Sequence, residues 1–154
     1  MNHQQLNAHL IPGQWSIAQV LDHLYLMERT IAHQVGVTLK QGQAAPLSAK
    51  PLQSSAKPYH LTLDRTRRIE APPRMVPTEE PKSFEQLKEQ LEQSRASLFQ
   101  VFEGHSDDQL TQLSFPHPAF GLMDLKQWEE FVGLHEQRHM EQIREIKQAL
   151  ISHF

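Results

Sequence analysis

The chain has 154 residues, 38% hydrophobic and 21% charged, the proportions of one globular domain long enough to bury a core. A net charge of -3 excludes a general basic field for nucleic acid, and the lack of cysteine excludes disulfides, thiolate zinc sites and Cys nucleophiles. No stretch approaches the roughly 18 apolar residues of a membrane span, and the polar opening carries no secretory pattern, so a cytoplasmic chain is expected.

Residues 1–14 are short and polar and end in the turn pair Pro12-Gly13. Ser16 and Gln19 then form an S-x-x-Q capping box, which opens a first long helix. Its apolar stripe is Ile17, Val20, Leu21, Leu24, Ile31 and Val35, and it runs to about Lys40, with Gln41-Gly42 as the stop. Residues 43–82 hold seven of the ten prolines, so no long helix crosses them. Within this crossover Tyr59 to Ile69 alternates enough to predict a short extended piece, and Arg65, Arg67 and Arg68 read as a solvated face. A connection of this length either covers the mouth of a site or wanders over the surface.

Ser83 with Gln86 starts a second long helix with the stripe Phe84, Leu87, Leu91, Leu98, Val101 and Phe102, closed by Gly104. Ser106 with Gln109 caps a short helical turn, and Phe115-Pro116-His117-Pro118 is a rigid extended turn in which His117 reads as a loop residue. Asp124 with Gln127 caps the last helix, whose stripe is Leu125, Trp128, Val132, Ile143, Ile146 and Leu150. The expected fold is all-α: a single domain over 1–154, an antiparallel-type bundle with the long Pro-rich crossover 43–82 between the first two long helices.

The chemistry concentrates on that last helix. His135 and His139 fall in the middle of its apolar stripe, four residues apart, so both imidazoles can face one point. Buried neutral imidazoles either hydrogen-bond to their neighbours or ligate a divalent metal, and spacing alone favours the simpler packed reading. A metal site needs a third ligand from a facing helix, and His23 is the best placed. Zn, Ni, Fe and Mn all accept imidazole. His135-Glu136-Gln137-Arg138-His139 also matches H-E-x-x-H literally, but Glu145 stands where the longer protease motif needs His, and no strand-rich domain is present to hold a peptide. Glu136 nevertheless sits beside the ligand face, where a carboxylate can act as a catalytic base. Glu28 and Arg95 interrupt apolar stripes; they pair with each other, or Glu28 serves as a proton acceptor near the metal. Trp15 and Trp128 read as packing residues.

Trp15-Ser16-Ile17-Ala18-Gln19-Val20-Leu21-Asp22-His23-Leu24 resembles the Trp-Ser…His-Leu opening of the DinB/YfiT-like superfamily. His135, Arg138 and His139 resemble its late-helix H-x-x-x-H, and the Phe115 to Gly121 approach resembles the loop before that helix. The resemblance implies a four-helix bundle in which His23, His135 and His139 bind a divalent metal, most often within a homodimer. It further implies a small-molecule substrate and either water activation, as in a hydrolase, or use of a low-molecular-weight thiol cosubstrate, as in an S-transferase. The other class to weigh is a non-catalytic metal-binding bundle that acts by binding a partner. One departure is visible: the family places a full helix before the Trp-Ser motif, whereas fourteen residues precede Trp15 here. The first helix is then very short, or the crossover or a second subunit takes its place.

Overall fold

A computed structural model describes residues 1–42, 62–65 and 70–153. Three long helices form the frame: α2 (Ile17–Gln41), α3 (Phe84–Phe102) and α5 (Leu125–His153). The short α1 (His3–Leu6) and α4 (Asp107–Gln112) pack at their ends, and an antiparallel hairpin, β1 (Ser114–His117) and β2 (Gly121–Asp124), leads into α5. The all-α class stands. No helix among the described residues is long and apolar enough to cross a membrane.

Local capping chemistry sets the helix starts. Ser16, Ser83 and Ser106 each accept from the backbone N–H three residues on, and the Gln found there returns the bond. Asp124 and Gln127 do the same before α5, with distances of 2.7 and 2.9 Å. A further box, Asn2 with Gln5, makes the 4-residue α1, so a very short helix precedes Trp15. Gly42 is the C-cap of α2, as expected of the stop at Gln41-Gly42. Its backbone stays in the right-handed helical region, and a Cβ there would run into the side chain of Leu113. The expected extended turn at Phe115 is the hairpin itself, and Gly121, at φ 75°, supplies the left-handed residue after its three-residue loop. Of the stretch Tyr59 to Ile69, expected to be extended, only residues 62–65 are described, and there Thr62 and Leu63 lie in a helical turn. Arg67 and Arg68 lie outside the described residues, while Arg65 pairs with Glu145 at 3.0 Å.

The helices do not all alternate in direction, as the antiparallel expectation had it. Glu28 meets Ser94 and, further along, Gly36 meets Val101, so positions on α2 and α3 rise together and the two run parallel. Parallel neighbours need a connection that returns the chain to its starting end, which is what residues 43–82 must do. Its far end is fastened: Lys82 donates to the buried Asp22 at 2.6 Å, and the Asn7 amide brackets the Lys82 backbone. Against α5, by contrast, α2 runs antiparallel, and the core divides accordingly. One apolar cluster joins Met27, Ile31 and Val35 of α2 to Leu125, Trp128 and Phe131 of α5. A second joins Ile17, Ala18 and Val20 to Ile143 and Leu150, with Leu87 of α3 and Leu6 of α1. Between the two clusters lie the histidines, near the start of α2 and in the middle of α5.

α3 is covered less than its stripe suggested. Of that stripe only Leu87 is buried, Leu91, Leu98, Val101 and Phe102 are half-buried and Phe84 is exposed, while Phe99, outside the stripe, is exposed too. Leu24→Ala, at a position only 1% exposed, is therefore expected to cost about 3 kcal/mol of stability, and Phe99→Ala, at 76% exposure, less than about 0.5 kcal/mol. Urea denaturation of the two variants checks this, and similar losses in both would contradict the burial described.

Candidate metal centre

His23 lies nearly two turns into α2 on its buried face, and His135 and His139 lie one above the other on the facing stripe of α5. The structure brings all three together: one nitrogen from each lies within 4.8 Å of the others. The Nε2 atom of His135 is 3.2 Å from that of His23 and 3.1 Å from that of His139. Trp15 lies over the group, its ring 4.9 Å from His23 and 6.5 Å from His139, so it flanks the cluster rather than serving as packing alone.

The outer nitrogens decide the protonation. His23 Nδ1 is 2.6 Å from the carbonyl oxygen of Met75, which can only accept, so the proton sits on Nδ1 and the Nε2 lone pair faces the cluster. His139 Nδ1 donates to Gln142 Oε1 at 2.7 Å, with the same consequence. His135 Nδ1 is buried with no partner among the described residues. A single proton on His135 Nε2 can satisfy one of its two neighbours, not both. The other neighbour's Nε2 lone pair is then left facing that nitrogen without a donor, an arrangement relieved by a cation that takes all three. This donor set fits a divalent metal, with Met75 and Gln142 fixing ligand orientation as outer-shell partners commonly do.

Protonation of the cluster is opposed on every side. Burial, above all, lowers the pKa of His23, only partly offset by the Met75 hydrogen bond and Asp22. Burial and then His23 push His139 down to about 3, and burial, His139 and His23 hold His135 well below its usual range.

The two carboxylates expected near the site take part in a different contact. Glu28 is buried, accepts from Ser94 Oγ at 2.7 Å and lies 3.4 Å from Arg95 Nε, and the same guanidinium pairs with Glu136. Of the two readings open for Glu28, the ion pair with Arg95 is present. Burial raises its pKa, and Ser94 and Arg95 oppose the rise. Arg95 thus joins carboxylates of α2 and α5 through α3. Arg138 donates to the carbonyls of Thr62 and Asp64, each at 2.8 Å, so with Met75 on His23 the described parts of the crossover reach the metal centre from both helices. The role of Gln142 was open to discovery from its spacing of three after His139; those of Met75 and Arg138 depend on chain folding and had no local signal.

The DinB superfamily model matches residues 1–143, and the chain belongs to that superfamily. It is 28% identical over 150 residues to YuaE of Bacillus subtilis (strain 168), an uncharacterized protein, covering 97% of this chain and 88% of that one. No solved structure gives a significant match.

Three buried histidines with lowered pKa values make the metal-free protein acid-sensitive. Unfolded histidines take up protons near 6.5, whereas the folded ones resist until the pH approaches their depressed values, about 3 for His139. Stability is thus fully present above about pH 6.5 and lost progressively as the pH falls toward 3. Urea midpoints of the metal-free protein should drop between pH 6.5 and 5, before carboxylates protonate, and a flat profile over that range would refute it.

Proposed function

We propose that the chain is a divalent-metal-dependent enzyme acting on a small molecule, with the ion held by His23, His135 and His139. The observation that supports this most directly is the pair of outer hydrogen bonds, from His23 to Met75 and from His139 to Gln142, which turn lone pairs toward one point. Neutral imidazoles of this kind suit zinc or nickel best, with iron or manganese as alternatives. The ion would supply Lewis acidity that favours deprotonation of a water, as in a hydrolase, or of a low-molecular-weight thiol cosubstrate, as in an S-transferase. Trp15 excludes solvent from one side of the imidazoles. Of the two carboxylates, we assign the proton-accepting role to Glu136, which follows His135 directly and keeps 34% of its side chain exposed. Glu28, enclosed by Ser94 and Arg95, holds Arg95 in place for it. The exposed Phe84 and Phe99 on α3 support a homodimer.

Metal analysis of tag-free protein should find about one ion per chain, lost in His23→Ala, His135→Ala and His139→Ala. Glu136→Gln should retain the ion and lose at least about tenfold in activity on ester or thiol-transfer substrates. Failure to take up added zinc or nickel would end the metalloenzyme reading. A bound ion that stabilises the fold while none of these substrates turns over would point to the non-catalytic module.

A further inference from the structure

His117, at the end of β1, belongs to none of these contacts. Its Nδ1 accepts the backbone N–H groups of Ala119 at 2.9 Å and Phe120 at 3.2 Å, so that nitrogen carries no proton and the ring is the Nε2–H tautomer. The two nitrogens of an imidazole face nearly opposite ways, so this N–H points away from the hairpin's own turn. Among the described residues nothing accepts it, and it is not among the sealed, unpartnered polar atoms. Burial pushes the His117 pKa down to about 4, which makes the ring a neutral donor rather than a cation near neutral pH.

Its surroundings are aromatic. Phe120 stacks on the ring at 4.5 Å, Phe131 meets it edge-on at 4.8 Å and Trp128 lies at 5.3 Å. Phe131 stands one helical turn before His135, and its ring is 5.5 Å from that imidazole. His117 is close enough for its charge to bear on His135. An unpartnered N–H therefore lies at the end of a row of aromatic rings that runs through the buried Phe131 to the three-histidine cluster.

We propose that His117 is a substrate-positioning residue, whose Nε2–H donates to an oxygen acceptor on an apolar substrate held at the His23, His135 and His139 site. The assignment rests on the metal-dependent reading above. A neutral donor among aromatic rings selects a carbonyl or carboxyl oxygen carried on an aryl or alkyl group.

The test uses cobalt(II)-substituted protein and benzoate, followed by the visible absorption of the ion. Wild type should bind cobalt and then benzoate. His117→Asn, whose side-chain oxygen can still accept from the turn, should bind cobalt equally and benzoate about tenfold more weakly. Equal benzoate affinity in both proteins, or none in wild type, overturns the role of His117 while leaving the metal site intact. No cobalt uptake by wild type overturns the metal reading itself, and this assignment with it. Should the variant fail to fold, the His117 Nε2–H resonance of zinc-loaded wild type decides: it should move downfield on adding benzoate, and an unmoved signal refutes the contact.

Discussion

Imidazoles cannot be buried side by side while charged, and the architecture of this protein follows from keeping three of them neutral, with the protons of His23 and His139 turned outward. His23, His135 and His139 occupy a polar layer between two apolar clusters, with the Nε2 atom of His135 3.2 and 3.1 Å from those of His23 and His139. Each proton moved to an outer nitrogen needs an acceptor there. Gln142 supplies one from the same helix, which costs nothing in topology. The Met75 carbonyl has to be carried in from a distant part of the chain.

That requirement gives the crossover a physical purpose. Because α2 and α3 run parallel, the connection between them has to come back to the starting end of the bundle, and its described parts lie against the three-histidine cluster. Arg138 takes the carbonyls of Thr62 and Asp64, Met75 takes His23, and Lys82 closes on Asp22 with Asn7 around its backbone. These are hydrogen bonds and ion pairs to otherwise buried groups, whose loss leaves a polar atom unsatisfied rather than merely removing a contact. Pro72, Pro73, Pro77 and Pro81 leave the described stretch 70–82 without a long helix, which suits a backbone whose Met75 carbonyl serves a side chain.

The attachment of α3 rests on less apolar burial than that of α2 and α5. Leu87 anchors one end, and the middle is held by Glu28, Ser94, Arg95 and Glu136. The outer half of this network is solvent-facing and contributes little by itself. The buried half is different, since Glu28 without Ser94 and Arg95 would be an uncompensated carboxylate in the core.

The reach of sequence alone can be seen residue by residue. Capping boxes at Ser16, Ser83, Ser106 and Asp124 and the 3.6-residue stripes are interactions within one turn or one helix face, so they were legible before folding was considered. The spacing of His135 and His139 was legible for the same reason, and His23 through its place beside a stripe. What tertiary structure decided are the pairings between distant segments: the parallel course of α2 and α3, Met75 on His23, Arg138 on the crossover, Trp15 over the imidazoles, Arg95 between two carboxylates. Each depends on where a whole helix or loop is carried in space. Periodicity says which face of a helix is buried, but not which backbone carbonyl or ring will lie against it.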